Sequence, residues 1–132
     1  MTARHPVRYA ALVDLGGPVI LSRSPELFFD VDDTGRIETQ PMKGTIRRGG
    51  TPLEDARLAE ALRQDTKCQA KNLMIVDLLR NDISRICELG TLQVPELFRL
   101  ESYPTVHQLV SRIRANLVRG VGFAEIIKPL FP

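Results

Sequence analysis

Three stretches of this 132-residue sequence carry side chains whose types and spacing could do chemistry. In residues 40–50 (QPMKGTIRRGG), Lys43, Arg47 and Arg48 concentrate positive charge, and Gly44, Gly49 and Gly50 let other groups approach the backbone closely. Residues 70–82 (AKNLMIVDLLRND) read as helix. At about 100° per residue, Ile75, Val76, Leu79, Ile83 and Ile86 fall on one broad side, while Leu73, Met74 and Leu78 spread around the rest. Such a helix is expected to be buried on most of its circumference. Its polar residues form two stripes, one of Asp77, Arg80, Asn81 and Ser84 and one of Lys71, Asp82 and Arg85, and buried polar groups must be paired or used. The third stretch, residues 105–117 (TVHQLVSRIRANL), puts His107, Leu109 and Ile113 on one face of a strand and Val106 and Val110 on the other. Taken singly, Lys43 is a solvated loop charge, Glu26 a strand-edge charge and His107 a satisfied strand histidine. Cys68 and Cys87 show no metal-ligand spacing and read as small apolar packing groups.

The elements that must position these residues suggest an α+β fold. Residues 9–15 (YAALVDL) and 18–21 (PVIL) read as strands about Gly16-Gly17, a hairpin signal. Residues 25–31 and 36–39 read as two more about the turn Asp32-Asp33-Thr34-Gly35. Four strands in the first forty residues predict an antiparallel sheet. Residues 40–50 follow as a loop, then a helix over 53–64 introduced by Thr51-Pro52, and the long helix over 65–87 closed by Gly90. Residues 91–94 read as a short strand, 96–101 are ambiguous between strand and helical turn, and a last helix spans 123–130. Residues 1–8 are polar and expected to fray.

Composition narrows the function classes. Eighteen Lys and Arg against sixteen Asp and Glu give a net charge of +2, with no basic tract interleaved with aromatics, so nucleic acid is not an expected partner. No apolar run approaches the roughly 20 residues that cross a bilayer, and no secretory signal precedes the first strand. The chain reads as reduced, soluble and cytoplasmic, with no membrane partner.

Five blocks then resemble one family, the chorismate-utilising enzymes: SRSPELFF (22–29), QPMKGTIRRG (40–49), NLMIVDLLRNDISRI (72–86), GTLQVPELFRLESYPTVHQLVS (90–111) and the terminal LFP. Within that family, lysine at the third position of PMKGT resembles the aminodeoxychorismate synthase component I branch of p-aminobenzoate and folate biosynthesis. The anthranilate and isochorismate branches usually carry alanine there. The resemblance implies an α/β sandwich, amination of chorismate with ammonia from a glutamine amidotransferase subunit, and Mg²⁺ as cofactor. It implies Lys43 as the nucleophile that attacks C2 of chorismate and expels the 4-hydroxyl, leaving an adduct that ammonia opens at C4. A lysine attacks only when deprotonated, and Arg47 and Arg48 are candidates for the neighbouring charge that promotes this. It also implies Glu26 as general acid or base, His107 as proton donor or positioning group, and Gly44 and Thr45 facing the substrate. Asp77, Arg80, Asn81 and Asp82 are read as bracing the buried helix.

Two departures qualify the resemblance. The family pattern before NLMIVD is usually Ala-Glu, whose glutamate helps hold Mg²⁺; here Ala70 is followed by Lys71, and an ammonium cannot ligate a cation. Lys71 is therefore expected to weaken metal binding or to take a substrate carboxylate itself. The chain also reads as a partial chorismate-binding domain, lacking the family's amino-terminal part and the Gly-rich and metal-binding segments after LFP, so the isolated chain is expected to be inactive. Alternatives are an isochorismate- or salicylate-synthase-type member, and a non-catalytic remnant or interaction module that homodimerises or binds a partner through apolar faces.

Overall fold

The computed structural model describes residues 8–131, so the stretch expected to fray lies outside the described residues but for Arg8. In chain order the elements are β1 (Tyr9–Val13), β2 (Ile20–Ser24), β3 (Leu27–Val31), β4 (Arg36–Gln40), β5 (Met42–Arg47), α1 (Pro52–Gln64), α2 (Thr66–Ser84), β6 (Gln93–Ser102), β7 (Val106–Asn116) and α3 (Phe123–Leu130). Along β7, His107, Leu109, Ser111, Ile113 and Ala115 share one face and are buried, while Gln108, Arg112 and Arg114 share the other. Its length gives β7 room for three antiparallel partners. β4 pairs with its carboxyl-terminal half, from Arg36 opposite Asn116 to Thr39 opposite Ile113, and β5 with its amino-terminal half, from Met42 opposite Val110 to Arg47 opposite Val106. These two strands therefore follow one another along one edge of β7. Pro41 lies between them, and its carbonyl accepts from Ser111 N–H at 3.1 Å. β6 takes the other edge, and β3 extends the sheet beyond β4.

The α+β architecture thus matches the sequence expectation, with two local differences in the strands. Residues 40–50, expected as a loop, are mostly β5, because a strand sixty residues later supplies the ladder that local glycine content cannot reveal. Gly44, at φ +90°, sits where the β5–β7 register shifts between Met42 and Thr45. The ambiguous residues 96–101 belong to one long strand, β6, whose own irregularity includes Phe98 at φ 56°.

Both central helices start on identifiable caps. Thr51 Oγ1 accepts from Glu54 N–H ahead of Pro52, and Asp65 Oδ1 accepts from the N–H groups of Lys67 and Cys68 at 2.9 and 3.0 Å. α2 lies on the apolar face of the sheet through Asn72, Val76 and Ile83, and the core closes with Ile37, Ile113, Ala115, Leu117 and, from α3, Ile126 and Leu130. The expectation of burial on most of the helix's circumference is corrected here: Leu73, Leu78 and Met74 are exposed, Met74 by 64%. An apolar count says that a helix can be covered, not how many layers cover it. Asp77 and Arg80 pair at 3.1 Å on that exposed side, and Asn81 Nδ2 reaches only its neighbour Asp82, so these polar residues do not brace the helix against the sheet. β1 and β2 form a separate hairpin in register from Tyr9 opposite Ser24 to Val13 opposite Ile20, and Leu12, Leu15, Val19, Ile20 and Leu21 on it are exposed. No helix among the described residues is long and apolar enough to cross a membrane.

Candidate functional site

Glu26 and Lys43, seventeen positions apart in sequence but adjacent in space, are brought together by the step from β4 into β5. Ser24 Oγ accepts from Glu26 N–H and donates to the Glu26 carbonyl, both at 3.1 Å, which fixes the turn entering β3. Glu26 Oε1 accepts from Met42 N–H at 3.0 Å, and Lys43 Nζ stands 3.9 Å from the same oxygen while donating to the Met42 carbonyl at 3.1 Å. The two side chains remain 42% and 40% exposed. They open into a cleft of about 450 Å³ whose apolar wall includes Phe28 and Pro41 from the sheet and Ile75 and Leu79 from α2. A carboxylate and an ammonium on an apolar wall can orient a small polar ligand and exchange protons with it.

The other expected site residues lie apart from this cleft's lining. Gly44 is packed on the helices: a Cβ there would meet Cys68 Cβ at 2.9 Å and Leu62 Cδ1 at 3.3 Å. Thr45 is exposed, and its Oγ1 accepts from Gln108 Nε2 at 3.2 Å across the ladder. His107 is 2% exposed with both ring nitrogens engaged. Its Nε2 lies 3.0 Å from Asp55 Oδ1 and its Nδ1 2.8 Å from Ser102 Oγ. A carboxylate only accepts, so a neutral imidazole here donates from Nε2 to Asp55 and accepts at Nδ1 from the serine hydroxyl.

Asp55 is the centre of that second cluster, and sequence reasoning missed it. It reads as one of two acids in the first turn of α1, and nothing in the spacing joins it to His107, 52 positions on. Arg48 Nε and Nη2 grip both its oxygens at 2.8 and 2.6 Å, Gly49 N–H donates to it at 2.8 Å, and Arg48 Nη1 also donates to the Tyr103 carbonyl. Arg48 first, then the Gly49 N–H, hold the Asp55 carboxyl well below the usual carboxylate range, and Arg48 is raised in turn by Asp55. Arg47 pairs with Glu54 at 2.6 Å. The expectation that Arg47 and Arg48 supply positive charge beside Lys43 is therefore corrected: both guanidiniums face α1 carboxylates, and the charge beside Lys43 is the Glu26 carboxylate. α1 begins directly after the Arg-Arg-Gly-Gly segment, so its first turn is the nearest acid.

The described residues form no ready-made cage for a hard divalent cation. Among the described residues no three His, Cys, Asp or Glu side chains gather as metal ligands. The cleft offers one carboxylate, Glu26, whose Oε1 is already engaged by Met42 N–H and Lys43, and Mg²⁺ usually binds through one or two carboxylates completed by water and ligand oxygens, so little protein ligation is available to it here.

The sequence model of chorismate binding enzymes matches residues 1–132. The chain belongs to the chorismate-binding enzyme family. It is 46% identical over 131 residues to the chloroplastic aminodeoxychorismate synthase of Arabidopsis thaliana, covering 98% of this chain and 14% of that protein. It is 44% identical over 124 residues to aminodeoxychorismate synthase component 1 of Escherichia coli K12, covering 94% of this chain and 27% of the relative. Among solved structures, anthranilate synthase component I from Streptococcus pneumoniae superimposes with a TM-score of 0.82 at 30% identity, over 97% of this chain and 27% of that one. This member of the chorismate-binding family thus spans about a seventh to a quarter of the length of these relatives.

Proposed function

We propose that this chain carries the nucleophile and the acid–base group of an aminodeoxychorismate-synthase-type site, which aminates chorismate to 4-amino-4-deoxychorismate. The observation that carries this reading is the pairing of Lys43 and Glu26 over one partly apolar cleft. Lys43 Nζ, once deprotonated, attacks C2 of chorismate as the C4–O bond breaks, and the departing hydroxyl takes a proton and leaves as water. Ammonia then adds at C4, the ring double bonds shift back, and Lys43 is expelled. Glu26, 3.9 Å from Nζ, is placed to accept the lysine proton and return it to the leaving oxygen. His107 serves as a positioning residue, since its two nitrogens tie α1 to β6 and do not point a free proton at the cleft. Ammonia would come from a glutamine amidotransferase subunit, the partner that the name "component 1" of the E. coli relative suggests.

A chimaera tests the reading. With this chain in place of the matching 124 residues of the E. coli relative, ammonium and chorismate should yield 4-amino-4-deoxychorismate by liquid chromatography and mass spectrometry, and Lys43→Ala should abolish it. Product from the Lys43→Ala chimaera, or formation of a hydroxylated product in its place, would overturn the assignment.

A further inference from the structure

The cleft presents a charge problem that one residue outside its lining solves. Its own ionisable groups, Glu26 and Lys43, are of opposite sign and 3.9 Å apart, so they largely cancel. Chorismate carries two carboxylates, and a carboxylate leaving water needs a cation or hydrogen-bond donor to replace its hydration. Lys71 lies four and eight positions before Ile75 and Leu79, the two α2 residues in the cleft wall. That spacing puts all three on one helix face, with Lys71 about 6 Å from Ile75 along the axis. Its charge also acts on Cys68, which packs on Gly44, the residue after Lys43. Lys71 is exposed and has no hydrogen bond or ion pair among the described residues. Lys67, one turn before Lys71 on the same face, is also exposed but lies about 12 Å from Ile75 along the axis. Asp65 caps the helix through the N–H groups of Lys67 and Cys68, and burial together with Asp65 raises the Cys68 thiol. Asp82 shares the helix face but lies eleven residues further on, about 16 Å along the axis.

We propose that Lys71 is the second cation of the Glu26–Lys43 cleft and takes one carboxylate of a dianionic ligand directly, so that binding there requires no divalent metal. The proposal rests on the chorismate reading above and is in keeping with a cleft lined by one carboxylate, Glu26, that Lys43 already pairs. A direct ammonium–carboxylate contact would supply to the ligand the positive charge that a metal ion would otherwise bring.

Isothermal titration of the chain with chorismate, in EDTA and then in excess Mg²⁺, separates the claims. The expected result is equal affinity in both buffers, a loss of about tenfold or more in Lys71→Gln, near-native affinity in Lys71→Arg, and no measurable binding of Lys71→Glu in EDTA. Lys71 is exposed, so these variants keep the fold, which circular dichroism checks. Wild-type binding that requires Mg²⁺, or Lys71→Gln binding as tightly as wild type, overturns the direct contact while leaving the chorismate reading in place. Absence of binding by wild type in either buffer overturns the ligand itself, and the Lys71 contact with it.

Discussion

The Asp55–His107 cluster and the Glu26–Lys43 cleft contain the same kinds of group and differ in how completely those groups are used. Around Asp55, a guanidinium, a backbone N–H and an imidazole converge on one carboxylate, and the imidazole's remaining nitrogen meets Ser102. At Glu26, one oxygen meets a backbone N–H and a lysine at the limit of ion-pair distance, and both side chains remain near 40% exposed. Saturated polar groups between elements fix a fold; groups left with spare capacity at a cleft can be given to a ligand. A third polar site, Asn72 on α2, belongs with the first kind. It is fully buried, donates to the Leu109 carbonyl at 3.3 Å and accepts from Ser111 Oγ at 2.6 Å, and Ser111 in turn receives Phe98 N–H from β6.

The largest effect should come from Asn72→Ala. It leaves the Ser111 hydroxyl without its acceptor and opens space between α2 and β7, for a loss of about 3 kcal/mol. Urea unfolding should show a lower midpoint with an unchanged slope. A variant as stable as wild type would mean that this seam is no tighter than the cleft.

Gly49→Ala follows. The added Cβ would lie 2.2 Å from Asp55 N, backbone against backbone, so the loop must move off α1 and the Arg48–Asp55 grip with it. Overpacking of this kind costs about 1–3 kcal/mol. The contrast is with Gly50→Ala, whose Cβ meets only the end of the Glu54 side chain at 3.5 Å and should melt close to wild type.

Acid should act on the saturated cluster next. Asp55 is more acidic folded than unfolded, so its stabilisation is complete above the ordinary carboxylate pKa near 3.9 and fades as pH falls through that value toward the folded one. Glu54, lowered first by the Gly50 N–H and then by Arg47, shifts the same way. The stability gap between wild type and Asp55→Asn should therefore be widest above about pH 4 and shrink on acidification below it. Urea midpoints across that range read the gap directly, and a gap that grows at low pH would contradict the grip on Asp55.

What the sequence made legible divides along the same line. The hairpins, both central helices, β7 and α3 follow from local signals: Gly16-Gly17, the Asp32–Gly35 turn, the Thr51-Pro52 start and the alternation from Val106 to Asn116. The meeting of Glu26 with Lys43 was reachable only through family resemblance, since neither residue's surroundings in sequence mention the other. β5 and the role of Asp55 were illegible because each depends on β7, laid down some fifty or sixty residues later. The exposure of Leu73, Met74 and Leu78 was illegible for a different reason: periodicity reports which residues can be covered, and the number of covering layers is a property of the whole fold.

The smallest stability effect, and the one that most sharpens the comparison, should belong to Lys43→Met. Methionine keeps much of the apolar stem and removes only an ammonium that is already half in water, and ion pairs of that exposure contribute about 0–1 kcal/mol. Met42 N–H keeps its hydrogen bond to Glu26, so the turn into β5 survives. Thermal and urea midpoints should stay near wild type while the chimaera loses amination altogether. That combination requires the Lys43 ammonium to matter to a ligand and hardly at all to the fold. Were Lys43→Met instead to destabilise the chain as much as Asn72→Ala, the cleft would be another seam of the structure, and its lysine a strut in place of a nucleophile.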